Sequence, residues 1–180
     1  ERIRFKSYII FLVLFSLFIY APLAHWTWHP DGFLFKMGVL DFAGGTVVHM
    51  SAGFAALAAA IYLRTKSEKT AIAPANIPFV LLGTGLLWFG WFGFNAGSAL
   101  SAGTLAASAF ATTNTASAAA GLCWVLFDSV RGKKPSALGF CIGAVVGLVA
   151  ITRAAGFVTI PSSLFIGTMA ALISNVVVHW

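Results

Sequence analysis

Charge is what this sequence has least of. Only 9% of its 180 residues are Asp, Glu, Lys or Arg, 59% are hydrophobic, and the mean hydropathy is +0.92. A soluble domain of this length carries roughly 25% charged residues. This chain cannot clothe itself in polar surface, and it reads as an integral membrane protein. Acidic residues are the scarcest, 5 against 11 basic ones, leaving a net charge of +6. The basic residues lie in short clusters between apolar runs, a pattern of membrane topology that excludes a nucleic-acid-binding face. Alternating polarity is missing too. The apolar runs are continuous and far longer than the roughly 10 residues of a barrel strand, so the expected fold class is all-α. Cysteine is limited to Cys123 and Cys141, both within predicted helices, where small packing residues are expected rather than a disulfide framework. No nucleophile–base set, metal-ligand spacing or phosphate loop occurs, so neither an enzyme nor a cofactor or metal is expected.

What is present is a series of spans. A hydrocarbon core about 30 Å thick needs about 20 helical residues, and six segments meet or approach this length: about 7–25, 41–63, 77–99, 104–130, 136–152 and 159–179. The fifth is short, and Pro161 stands in the first turn of the sixth, where proline is tolerated. Short connections make neighbouring spans antiparallel. Arg2, Arg4, Lys6, Arg64, Lys66, Lys69, Arg131, Lys133 and Lys134 then share one side, leaving Lys36 and Arg153 on the other. The excess marks the first side as cytoplasmic. The chain runs from Glu1 straight into a span and ends at His179–Trp180 beside another, which reads as the middle of a longer chain: a single membrane domain over 1–180, incomplete at both ends.

Small residues recur within the spans. Gly139, Gly143 and Gly147 are spaced four apart, as are Gly167 and Ala171; such faces let helix backbones approach closely. The expected architecture is a tightly packed polytopic transmembrane bundle. In LLWFGWFGFNAGSA, Phe89, Phe92 and Phe94 spread around the helix and cannot all face lipid. One of them could plug a narrow pore, and spacing does not say which.

The stretch DFAGGTVVHMSAG, residues 41–53, places two ionisable residues in an apolar setting. Asp41, at the outer start of the second span, suits an N-cap, with its charge favoured by the helix dipole; shaping a nearby cation site is the alternative. His49 lies eight residues on, about 12 Å along an α-helix, too deep to reach water. Two readings are open. The ring is neutral and satisfied by one neighbouring hydroxyl, or it lines a pore for ions or protons, where a neutral imidazole can both donate and accept a hydrogen bond.

The strings YAPLAHWTW, LDFAGGTVVHMSAG, GTGLLWFGWFGFNAGSAL, GKKPSALG and GAVVGLVAIT follow in order along the chain. Together they resemble the ammonium transporter (Amt/methylammonium permease/Rh) family over nearly all of its length. The resemblance implies a homotrimer in the cell membrane (plasma or inner), each subunit an eleven-helix inverted-repeat transporter with its own pore, of which this chain corresponds to helices four to nine. It implies that Trp28 and Ser98 recruit ammonium at the outer face, Trp28 by a cation–π contact and Ser98 by a hydrogen bond. Phe94 corresponds to one of two stacked gate phenylalanines and His49 to the first of two pore histidines. Asp41 would shape the recruitment site without touching the ion. The second pore histidine and the first gate phenylalanine belong to helices beyond this chain. Ammonium would shed its proton, ammonia would pass the narrow pore and be reprotonated inside, since an unpaired ion in an apolar pore is strongly disfavoured. Implied partners are ammonium or ammonia, the lipid bilayer, further copies of the subunit and a cytoplasmic PII-type regulator. Arg153, in AITRAAGF, departs from the family's usual proline and is assigned no function.

Two other readings stand beside transport. Some members of the family are ammonium sensors fused to signalling modules, and a packing protein with a dead pore is the third possibility.

Overall fold

The computed structural model describes residues 3–63 and 76–178. The basic residues expected at Arg2, Arg64, Lys66 and Lys69, and the terminal His179–Trp180, lie outside them. Among the described residues all regular structure is helical: α1 (Phe5–Phe15), α2 (Ala21–Trp28), α3 (Phe33–Lys36), α4 (Ser51–Leu63), α5 (Ile77–Gly97), α6 (Thr104–Val130), α7 (Ala137–Ile151) and α8 (Ile160–Val178). Two wider π-turns join them, Ser16–Tyr20 between α1 and α2 and Gly45–Met50 leading into α4. The first has a local cause. Pro22, in the first turn of α2, has no N–H and its ring crowds the carbonyl four residues back. The turn widens there, and the Ala21 amide reaches Ser16 O instead.

Four described helical segments are long and apolar enough to cross a membrane: Phe5–Lys36, Gly45–Leu63, Ile77–Gly97 and Ile160–Val178. The chain is thus a multi-pass membrane protein. The other two expected spans differ for separate reasons. Ala137–Ile151 is short, about 22 Å at an α-helical rise. Thr104–Val130 is long, at 27 residues, but carries four Thr and three Ser among its many alanines.

That polar composition goes with its position. α6 stands at the centre of a block with α5, α7 and α8, burying Ala109, Thr112, Thr113, Ala116, Ser117 and Ala120 along its length. Small residues face it from both sides. A Cβ at Gly143 would stand 2.7 Å from Ala120 O, and one at Gly147 2.6 Å from Ala116 O. Gly167 of α8 sits so close to the Ala116 carbonyl from the other side that no side chain fits there. Hydroxyls stitch the contacts: Ser117 Oγ donates to Ala144 O at 2.9 Å, and Thr112 Oγ1 donates to Ala155 O at 2.8 Å. Cys141 is a buried free thiol and Cys123 a partly buried one. Two helix starts, those of α5 and α7, carry side-chain caps. Asn76 Oδ1 accepts from Phe79 N at 3.1 Å, and Ser136 Oγ accepts from Gly139 N at 3.0 Å.

α1 is the opposite case. It buries none of its residues, and with α4 it borders an apolar groove of about 1200 Å³. Gly90, Gly93 and Gly97 of α5 meet no approaching backbone among the described residues.

Candidate functional site

The segment 40–44 is tied down on both sides before the second span begins. The helix starts at Gly45, with Gly44 as its cap residue in the left-handed region at φ 103°, so Asp41 stands before the helix rather than at its first position. It still serves the helix end. Asp41 Oδ1 accepts from Gly44 N at 3.0 Å, while Oδ2 accepts from Thr46 N at 2.9 Å and Val47 N at 3.1 Å. One carboxylate, 8% exposed, thus takes up free amides of the first turn and places negative charge at the positive end of the helix dipole. The indole of Trp28, closing α2, donates from Nε1 to Asp41 O at 2.9 Å. Arg153, in the turn between α7 and α8, holds the other side: its Nε donates to Leu40 O at 2.8 Å, and its carbonyl accepts from Phe42 N at 3.0 Å. Arg153 is a latch on this segment, a role its sequence context does not reveal.

The later start puts His49 four residues into its helix, so a depth reckoned from Asp41 is too great. His49 lies in the π-turn, its amide reaching Gly44 O at 3.1 Å. Ser51 Oγ folds back to donate to Val47 O at 2.6 Å, with Val48 O 3.0 Å away, satisfying carbonyl oxygen in the widened turn. The His49 ring stacks on Trp91 of α5, centroids 5.2 Å apart and planes 20° off parallel; Phe94 lies 5.9 Å from His49 and 5.6 Å from Trp91. His49 Nε2 is 3.2 Å from Thr152 Oγ1, which also accepts from Trp91 Nε1 at 2.9 Å and donates to Leu148 O at 2.7 Å. The open side of the cluster is a recess of about 530 Å³, bordered by His49, Trp91, Phe94, Val48 and Gly90.

The expected site residues therefore fall into separate groups. His49 and Phe94 share one cluster, and Trp28 and Asp41 share another. Ser98 follows the end of α5 and donates its hydroxyl hydrogen to Phe94 O at 2.8 Å, leaving its lone pairs outward. No hydrogen bond or ring contact among the described residues joins Trp28 to Ser98. The other phenylalanines divide as expected: Phe92 stacks on Phe110 at 3.9 Å, and Phe89 is exposed. Among the described residues no group of three or more His, Cys, Asp or Glu is placed to hold a metal ion.

The family model of the Ammonium Transporter Family matches residues 1–180. This chain belongs to that family. A putative ammonium transporter of Methanothermobacter thermautotrophicus is 51% identical over 180 residues, all of this chain and 44% of its own length. The crystal structure of Candida albicans Mep2 superimposes with a TM-score of 0.91 at 41% identity, covering 97% of this chain and 40% of that one. A solved sensor Amt protein superimposes with a TM-score of 0.90 at 34% identity, over 97% and 46%. The chain thus spans less than half the length of these relatives.

Within this member of the ammonium transporter family, three polar elements escaped the sequence reading. Trp91 and Thr152 complete the His49 cluster. Asn95, fully buried, donates from Nδ2 to Thr113 Oγ1 at 2.9 Å. At the other end of α6, Asn175 Nδ2 donates to Asp128 Oδ1 at 2.9 Å and Asn175 Oδ1 accepts from Arg131 Nη1 at 3.1 Å. For Thr152, Asn95 and Asn175 the available signal was a polar side chain inside an apolar run, which is costly unless partnered.

Proposed function

We propose that the full-length parent of this chain moves ammonium or ammonia across the cell membrane, plasma or inner, and that residues 1–180 are the middle of its membrane domain. The observation that carries the reading is the recess bordered by His49, Trp91 and Phe94, set among membrane-spanning helices in a chain of this family. Trp28 and Ser98 recruit the ion at the outer face. The Ser98 hydroxyl suits a cargo that only donates: its hydrogen is committed to Phe94 O, so it offers lone pairs to ammonium N–H groups. Asp41 holds the outer helix end in place; with each carboxylate oxygen already accepting amides, it acts on the ion through field and shape. The ion loses its proton before the apolar section, ammonia passes Phe94 and His49, and protonation follows inside. Potassium has no proton to lose and is refused. The parent assembles as a homotrimer, takes a cytoplasmic PII-type regulator, and carries out no enzymatic reaction.

The test is the charge moved when ammonium is added to proteoliposomes holding the full-length parent, beside Trp28→Leu and His49→Ala. The expected result is a saturable current, weakened by Trp28→Leu. His49→Ala abolishes the current or changes its ion selectivity, while folding is little affected. A parent that binds ammonium yet shows neither current nor uptake overturns transport. It favours the second reading, an ammonium sensor, which the likeness to a sensor Amt protein supports.

A further inference from the structure

Arg153 carries the wrong charge for its place. It follows the end of α7 and lies against the start of the second span's helix, where a Cβ at Gly45 would stand 2.5 Å from Arg153 Cβ. A helix N-terminus is partially positive and favours anions, and Asp41 already answers it there. The exposed Arg153 side chain instead donates through Nε to Leu40 O at 2.8 Å. The ionised side chains of the described outer connections are Asp31, Lys36, Asp41 and Arg153. Lys36 Nζ pairs with Asp31 Oδ1 at 3.2 Å, so those two cancel at a distance. Asp41 and Arg153 remain, and no ion pair among the described residues joins Arg153 to a carboxylate. Two consecutive carbonyls tie this free charge to the proposed recruitment site. Arg153 Nε holds Leu40 O, and Trp28 Nε1 holds Asp41 O at 2.9 Å. With one residue between the two bonds, the guanidinium lies on the order of 10 Å from the indole.

We infer that Arg153 is a fixed electrostatic counterweight to Asp41: its charge repels the ammonium recruited at Trp28 and sets the affinity of the outer site below what Asp41 alone would give. This rests on the proposed recruitment at Trp28. Arginine suits the task because its guanidinium does not titrate in proteins, and its bond to a backbone carbonyl leaves the charge unneutralised. Salt separates the two fields. Asp41 is buried and keeps its pull on the ion, whereas Arg153 is exposed and its push is screened. The consequence is a shallower well, which captures less ammonium from dilute solution and releases each ion sooner. Methylammonium bears the same charge and is repelled to the same extent, so Arg153 sets affinity rather than choice of cargo.

The experiment is fluorine NMR of the full-length parent, labelled with fluorotryptophan, in nanodiscs of zwitterionic lipid and titrated with ammonium chloride. The Trp28 signal is assigned by its loss in Trp28→Leu, and its shift gives a Kd whether or not the protein transports. Ionic strength is held with sodium chloride at about 0.01 M, where the Debye length is about 30 Å. There Arg153→Gln is expected to bind ammonium about threefold more tightly, the factor for a unit charge roughly 10 Å away at a dielectric between those of water and a protein surface. At about 1 M, with a Debye length of about 3 Å, the two affinities should converge. Arg153→Lys keeps the charge and should match the parent at both salts. Arg153→Met, similar in length to arginine, repeats the test if Arg153→Gln does not fold. Equal affinities for the parent and the uncharged variant at low salt, a gain that survives high salt, or an Arg153→Lys that follows Arg153→Gln overturns the counterweight while recruitment at Trp28 stands. A Trp28 signal that ignores ammonium in every variant removes the recruitment reading, and the counterweight with it.

Discussion

α6 and α1 occupy opposite extremes of the molecule. α6 is the least apolar of the long helices and buries residues along its whole length; α1 is strongly apolar and buries none. In a soluble protein the ranking would be reversed, since apolar surface is driven inward. Here lipid is as apolar as leucine, so burial is decided by how closely backbones approach and by which hydroxyls find carbonyls. Alanine, glycine, serine and threonine make α6 the scaffold. Phenylalanine, isoleucine and leucine leave α1 to its surroundings.

The contrast can be broken most forcefully at its closest contact. Gly167→Ala puts a methyl group against the Ala116 carbonyl and should cost about 3 kcal/mol, the upper range for overpacking. Gly53→Ala on α4 meets nothing within 4 Å and should be neutral or stabilising by up to ~1 kcal/mol. Thermal unfolding of the full-length parent in detergent compares them, and equal losses would mean that the α4 face is as tightly covered as α6. A smaller effect is expected at the helix end that α6 does not brace. Asp41→Ala should cost about 1–2 kcal/mol and speed hydrogen exchange at the Thr46 and Val47 amides, with Asp41→Asn recovering part of the protection. Smallest is Arg153→Ala. It removes an exposed side-chain bond to Leu40 O but keeps the backbone bond to Phe42, so unfolding should shift by about 0.5 kcal/mol. A larger loss would show that the latch does more than hold a loop.

Where residues act within one helix, the sequence was readable. The helix expected at 104–130 is Thr104–Val130, and the four-residue spacing of Gly139, Gly143 and Gly147 is the face that meets α6. Pro161 lies in the first turn of α8 as its backbone chemistry requires. Legibility failed where a boundary or partner is set from a distance. The second span begins at Gly45 rather than 41 because a carboxylate from the preceding loop caps amides up to six residues ahead. The hydroxyl that one reading of His49 required is present, but Thr152 lies 103 residues away in sequence, and no local pattern pairs them. The ring nearest His49 belongs to Trp91, in a tract whose phenylalanines drew attention first. Arg153 looked out of place because its value lies in the carbonyl of Leu40.

The two π-turns share a shape and differ in consequence. At Ser16–Tyr20 the wide turn accommodates a proline in a helix that buries little, and its rotation has few neighbours to satisfy. At Gly45–Met50 it carries His49. Successive residues of an α-helix point about 100° apart, so a turn holding one surplus residue converts length into rotation. The ends of the segment keep their height while its side chains are re-aimed. Losing a single residue there would swing the imidazole away from both Trp91 and Thr152 and present an aliphatic neighbour to the recess in its place. Chain length in that one turn is therefore a steering variable, set by counting residues rather than by choosing them.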